Sequence, residues 1–270
     1  MPEGRRPLGY FCRRASASSI IDRLIQTDTH ACKQLKVGFV SDAHGNPLGL
    51  QGCISELHTR GAELIYFLGD AVGYFPLAIE VIEILRRHDI PCLLGNHDAM
   101  LCGLLPLDAG KDRVYGLSEL AQRMDPVTRE QVSKWPTRRR LEIGGRRLLL
   151  VHGSPRDELS EYIYPDTEAS WFGSIDADAV FMGHTHIPFA KKFGHVLAVN
   201  VGSCGLPRDI GNQAACALFD THGNSVEIIR IPFDTVQLLA MARARGKVAD
   251  QVVRCLERRR LQSYAGEPHE

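Results

Sequence analysis

Lys36-Val37-Gly38-Phe39-Val40-Ser41-Asp42-Ala43-His44-Gly45-Asn46-Pro47 passes from an apolar run through a polar turn to the start of an amphipathic segment. Lys36 to Val40 has the Val- and Phe-rich composition of a strand. From Pro47 to Arg60 the apolar residues Leu48, Leu50, Ile54 and Leu57 share one side of a helix. Between strand and helix stand an aspartate, a histidine and an asparagine. The arrangement recurs along the chain. Gly69-Asp70 closes Leu64 to Leu68, and Gly95-Asn96-His97-Asp98 closes Cys92 to Leu94. Val151-His152-Gly153-Ser154 follows Leu148 to Leu150, and Gly183-His184-Thr185-His186 follows Val180 to Met182. Side chains at the carboxyl ends of strands in an α/β sheet converge on one crevice. Imidazole, carboxylate and amide oxygen suit borderline and hard divalent ions. A single such histidine is usually a satisfied core residue. Five of the eleven histidines fall in these stretches, and scatter does not account for that.

Outward from these motifs the chain alternates as an α/β protein. Leu64 to Leu68 is a second strand, and Pro76 is expected to open a second helix. In that helix Glu80 and Glu83 lie early and Arg86 and Arg87 late, matching the helix dipole. Cys92 to Leu94 is a third strand, so the β-α-β-α-β start predicts parallel pairing with right-handed crossovers. Residues 99–135 interrupt the alternation as a helical insertion. Leu141 to Ile143 and Arg147 to Val151 flank Gly144-Gly145, a two-residue hairpin signal. Strands follow at Ala179 to Gly183, Phe189 to Phe193, Val196 to Val199, Ala215 to Phe219 and Val226 to Ile231. Helices over Thr235 to Ala244 and Val248 to Arg260 end the chain. Residues 1–35 are expected to be a poorly ordered extension. They are rich in Arg and Ser but have no apolar core of a secretory signal.

Composition narrows the class. Among 270 residues, 44% hydrophobic and 24% charged are ordinary for one large globular domain. The net charge of zero and sparse aromatics argue against a basic nucleic-acid surface. No apolar run approaches the ~20 residues that span a bilayer. None of the eight cysteines forms a C-x-x-C pair, which favours reduced thiols and a cytoplasmic protein.

The ordered set D-x-H, G-D, G-N-H-D, V-H-G, G-H-x-H over residues 36 to 232 resembles the calcineurin-like metallophosphoesterase superfamily. The resemblance implies a four-layer sandwich of two mixed β-sheets flanked by helices, forming one domain over 36–270. It implies two divalent metal ions, manganese first and iron, zinc, nickel or cobalt as alternatives. Asp42, His44 and His186 would hold one ion, and Asn96, His152 and His184 the other. Asp70 would bridge, since a carboxylate has two oxygens to span ions ~3.5–4 Å apart. His97 would protonate the leaving group without binding metal. The D-x-H spacing itself suggests extended backbone, in which residues i and i+2 point the same way. Asn46, Asp98 and Ser154 adjoin these positions and either support the ligands or cap turns.

The chain departs from the phosphoprotein-phosphatase pattern of that superfamily. Gly73 stands where that branch has the Asp supporting its catalytic His, and Tyr74 where it has a phosphate-gripping Arg. The Gly73-Tyr74-Phe75-Pro76 run looks more like small bacterial and archaeal phosphodiesterase-type members. The expected function is hydrolysis of phosphodiesters or phosphomonoesters of a small phosphorylated substrate. A dinucleoside-polyphosphate hydrolase, a protein phosphatase and a non-catalytic scaffold on the same fold are the alternatives, and a homo-oligomer stays open. Asn200-Val201-Gly202-Ser203 is either a phosphate-facing turn or a plain one. Arg138, Arg139, Arg140, Arg146 and Arg147 read as a solvated hairpin face that could also steer anions.

Overall fold

The computed structural model describes residues 34–259. The expected extension therefore lies outside the described residues except for Gln34 and Leu35. Leu35 is buried, and its N–H donates to Thr221 Oγ1 at 3.0 Å.

Two mixed sheets face each other. Strands β1 (Lys36–Val40), β2 (Leu64–Phe67), β8 (Gln213–Asp220) and β9 (Ser225–Pro232) form one sheet in the order β2-β1-β8-β9. Strands β3 (Arg138–Ile143), β4 (Arg146–Val151), β5 (Ala179–Met182), β6 (Phe189–Phe193) and β7 (Val196–Asn200) form the other in the order β3-β4-β5-β7-β6. β1 and β2 pair parallel, as do β4 with β5 and β5 with β7. Along β1, Val37 and Phe39 point between the sheets, as the period-2 alternation of a strand requires. There Phe39 stacks on Phe181 with ring centres 3.8 Å apart, and Phe181 meets Phe219 edge-on. Val40 turns to the opposite face, under the helices.

That outer face of the first sheet carries helices α1 (Pro47–Thr59) and α2 (Ala78–Arg87). The insertion adds α3 (Asn96–Leu101), α4 (Ala109–Tyr115), α5 (Leu117–Arg123) and α6 (Pro126–Ser133). Helices α7 (Thr235–Arg243) and α8 (Asp250–Glu257) close the chain's described part and pack on Phe75, Leu77 and Leu206. A 3₁₀ turn at Ser170–Ser174, with Ile163 and Ala169, covers the second sheet. This is the α/β, two-sheet architecture that the resemblance implies. The Gly144-Gly145 hairpin forms as expected, both glycines at positive φ.

Two local expectations are corrected. Pro76 does not open the second helix; it lies in a turn, and α2 begins at Ala78. Cys92 to Leu94 is not a full strand and touches β2 through one parallel bridge, Phe67 to Cys92. Pro91 before it has no N–H to continue a ladder. Its carbonyl accepts from Phe67 N–H, and Leu93 N–H donates to Phe67 O.

Candidate metal centre

The loops that leave β1, β2, β4 and β5, together with the N-terminus of α3, meet at one end of the sandwich. Backbone hydrogen bonds continue past the strands and lock them together. Asp42 N–H donates to Gly69 O at 2.9 Å, His44 N–H to Asp70 O at 3.0 Å, and Gly183 N–H to His152 O at 2.9 Å. Across the sheets, His184 N–H donates to Asp42 Oδ2 at 3.0 Å. All of Asp42, His44, Asp70, Asn96, His97, His152, His184 and His186 are brought together and buried.

The backbone gets there by a route the spacing did not suggest. Asp42 and His44 are not in extended backbone: their φ angles are 55° and 46°. Asp70, His184 and His186 are also left-handed, at 61°, 68° and 61°. Each such non-glycine residue carries a strain of order ~1–3 kcal/mol, which clusters at functional sites. Left-handed turns, and not the period-2 alternation of a strand, set the direction of these side chains. Gly95 makes room for the Asp70 carboxylate, because a Cβ at that position would collide with Oδ1.

The donor atoms form overlapping groups. Asp42, His44 and His186 lie together, as do Asp70, His152 and His184, and His44 and Asp70 also group with His97. Three imidazoles spend Nδ1–H on a backbone carbonyl: His44 on Val72 (2.8 Å), His152 on Leu68 (2.9 Å) and His186 on Leu206 (2.6 Å). In the neutral ring, the form a metal binds, that fixes the tautomer and leaves Nε2 as a lone pair aimed into the site. His184 is reversed, with Nε2 against Ser160 O at 3.3 Å. The Nε2 atoms of His44 and His186 face each other at 3.0 Å. His186 Nε2 stands 3.3 Å from Asp42 Oδ1, a buried oxygen with no hydrogen-bond partner. Asp70 Oδ2 is 3.6 Å from His44 Nε2 and 3.3 Å from His152 Nε2. Asn96 Oδ1 is 3.0 Å from His152 Nε2. Lone pairs converging on one another without a shared cation would repel, so this donor set fits divalent metal.

Titration follows from the same geometry. Burial alone would lower the pKa of His152, but the Asp70 and Asp42 carboxylates outweigh it and lift it from the usual 6.5 to about 9. Burial pushes His184 down to about 3 and His186 to about 4, with His152 opposing a second charge on His184 and Arg208 one on His186. His97 is lowered well below its usual value, chiefly by burial.

The neighbouring residues hold the motif loops and cap turns. Asp98 spends its carboxylate on backbone N–H groups. Its Oδ2 accepts from Asp70 N–H (2.7 Å) and Gly95 N–H (3.0 Å), and its Oδ1 from Ala71 N–H (3.0 Å), so it splices the second and third motifs. Asn46 caps α1 through Gly49 N–H at 3.0 Å and holds Gly205 O at 2.8 Å. Ser154 bonds Glu161 and the Arg156 and Asp157 N–H groups, shaping its own loop. The turn at 200–203 braces the ligand loops rather than facing substrate. Asn200 Nδ2 donates to Gly183 O and Thr185 Oγ1, and Ser203 Oγ donates to Asp42 O. In the hairpin, Arg138 pairs with Glu158 and Arg147 with Asp176 and Asp178.

A model described as "calcineurin-like phosphoesterase superfamily domain" matches residues 35–224, the span that holds every motif above. The chain belongs to the calcineurin-like phosphoesterase superfamily. The family is metal-dependent. Among the relatives of this chain is an uncharacterised protein of Methanocaldococcus jannaschii. It is 30% identical over 219 residues, covering 73% of this chain and 88% of the relative. A protein of Methanothermobacter thermautotrophicus named a probable metallophosphoesterase is 27% identical over 173 residues, covering 63% and 77%. A metallophosphoesterase structure from Sphaerobacter thermophilus superimposes with a TM-score of 0.70 at 25% identity, covering 83% of this chain and 98% of that one.

Residues that motif reading did not assign to the site line its mouth. Tyr74 lies with its ring centre 4.7 Å from His44 and 5.0 Å from His97, and Tyr115 lies 4.2 Å from His97. Tyr162 stacks on His184 at 3.9 Å. Arg208 donates to the Tyr74 hydroxyl at 3.3 Å. Tyr115, Tyr162 and Arg208 sit in segments without a motif, and only the folded chain brings them here.

Proposed function

We propose that this phosphoesterase-family chain hydrolyses phosphodiester or phosphomonoester bonds at a dinuclear centre. The observation that supports it best is the pair of converging lone-pair groups joined at Asp70 Oδ2, which faces a histidine on either side. Asp42, His44 and His186 would hold one divalent ion; Asn96, His152 and His184 the other, with Asp70 between them. Bound there, such ions lower the pKa of water and neutralise phosphoryl charge.

His97 is the proton donor in this reading. Its backbone N–H donates to Asp70 Oδ1 at 2.9 Å, which anchors it beside the bridge. Its Nδ1 is buried with no hydrogen-bond partner, backed by Gly73 where a Cβ would collide with it. Burial outweighs the pull of the nearby Asp70 carboxylate and keeps the ring neutral. The negative charge of a bound phosphate is what would raise its pKa and protonate it, so the acid forms only with substrate in place. The free thiols Cys53, Cys92, Cys102, Cys204, Cys216 and Cys255 fit a reducing compartment and support a cytoplasmic protein. Among the described residues no helix is long and apolar enough to cross a membrane.

The test strips the protein with chelator, restores manganese in steps, and follows turnover of p-nitrophenyl phosphate and bis-p-nitrophenyl phosphate. Activity should return as bound metal approaches two ions per chain. Full activity at one ion, or in chelator, would overturn the dinuclear reading.

A further inference from the structure

Beside the metal centre lies a cavity of about 610 Å³, a size suited to a small-molecule group. Its walls come from four parts of the chain: the turn at Tyr74, the insertion helix α4, the segment at 206–208, and helix α8 with the residue that follows it. Four cations line it, Lys111, Arg208, Arg254 and Arg258. None forms an ion pair with a carboxylate among the described residues. The one carboxylate in the lining, Asp108, is spent on capping α4 through the N–H groups of Gly110 (2.8 Å) and Lys111 (3.0 Å). Arg258 is steadied by donating to Arg208 O at 3.1 Å, and Arg208 by its bond to Tyr74. Unneutralised cations around a concave wall focus positive potential.

The cavity shares a wall with the metal centre. Tyr74 and Tyr115 line the cavity while their rings touch His44 and His97. Leu206 also lines it, and its carbonyl holds His186 Nδ1–H. Arg208 N–H donates to His186 O at 3.3 Å. A neighbouring cavity of about 1170 Å³ lacks this bias, because Asp112, Glu119 and Asp250 stand among its arginines and lysine.

We infer that the cationic cavity is a subsite for a second phosphate group, so the substrate carries a phosphate besides the one at the scissile ester. The inference rests on the reading of the adjoining centre as a phosphoester site and names the substrate class it takes. Guanidinium and ammonium groups recognise phosphate by charge-assisted hydrogen bonds. Arg208, between centre and cavity, holds the connecting part of the substrate close to Tyr74. The arginine that the phosphatase branch carries at position 74 thus has its charge supplied from elsewhere in the fold.

The experiment compares adenosine 3′,5′-bisphosphate with adenosine 5′-monophosphate, titrated calorimetrically into manganese-loaded protein freed of excess metal. The two probes differ by one phosphate. The native protein should bind the bisphosphate about tenfold more tightly or better, as one added charge-assisted contact gives. In Lys111→Ala/Arg254→Ala the ratio of the two affinities should fall to near one, and in Lys111→Glu/Arg254→Glu it should invert. Both side chains are exposed, and unchanged melting temperature and metal content confirm that each variant is folded. Equal affinities in the native protein, or a preference kept by the variants, would overturn the subsite. Native turnover of p-nitrophenyl phosphate is recorded beside it. No turnover with the preference intact would sink the esterase reading alone; turnover without the preference would sink the subsite alone.

Discussion

The metal centre and the cationic cavity next to it both gather charged and polar groups, yet they are built in opposite ways. In the centre nearly every polar atom is committed. Imidazole Nδ1 atoms are held by carbonyls, the Asp98 oxygens by three N–H groups, and the backbone is left-handed at Asp42, His44, Asp70, His184 and His186. In the cavity the charges sit on long side chains, two of them exposed, with few partners. A buried site must fix its donors before the ligand arrives, because an unpaired polar group there is costly. A solvated wall can leave its cations free until an anion comes. The first kind of site should respond to substitution sharply and in metal content; the second should respond in affinity and in salt dependence.

The largest effect is expected at Asp70, the carboxylate next to both histidine groups. Asp70→Asn should lose bound metal, and its rate should fall below that of any variant described next; metal analysis with steady-state kinetics checks both. Unchanged metal and rate would erase the contrast with the cavity.

Changing His97→Ala should lower turnover by ~10²–10⁴-fold for an alkyl leaving group, the usual contribution of positioned acid catalysis, with metal content unchanged. The loss should be smaller for p-nitrophenolate, which leaves as a stable anion. Metal loss in this variant would instead make His97 a ligand, as its grouping with His44 and Asp70 would permit.

For Asp98→Ala, three buried N–H groups lose their acceptor, at roughly 1–3 kcal/mol each. Denaturant unfolding should show a loss of several kcal/mol, and a loss below about 1 kcal/mol would show that water replaces the carboxylate.

Metal affinity should depend on pH through His152. Its pKa of about 9 means that the metal-free site is protonated there at neutral pH, and a metal must displace that proton. Affinity should therefore climb about tenfold per pH unit from 7 to 9 and level off above. The raised pKa also gives the metal-free protein stability that is complete below pH 6.5 and lost as pH rises through 9. Calorimetry in buffers of different ionisation enthalpy measures the proton released. Flat affinity across that range would place the proton elsewhere.

The smallest change is expected in the hairpin. Arg138 is half-exposed and paired with Glu158, so Arg138→Ala should cost less than about 1 kcal/mol and leave rates on anionic substrates unaltered. A marked rise in KM would show that this face steers substrate after all.

What could be read from the chain alone was whatever local sequence controls. Strand composition and hairpin chemistry are nearest-neighbour effects, so β1, β6 and the Gly144-Gly145 turn were legible. The convergence of Asp42, His44, Asp70, Asn96, His97, His152, His184 and His186 was legible because each follows an apolar run within a few positions. What required the tertiary structure depends on contacts across long separations. Pairing at Cys92 is decided by Phe67 and Pro91, and the left-handed turns at Asp42 and His44 by hydrogen bonds to the Asp70 loop. Whether Asp98 supports the neighbouring loops or caps a turn was decided only by its three N–H partners. The cavity lay further still from view, since Lys111, Arg208 and Arg254 are ordinary surface charges in sequence. Only the packing of α4 and α8 against the 206–208 segment turns their separate charges into one field.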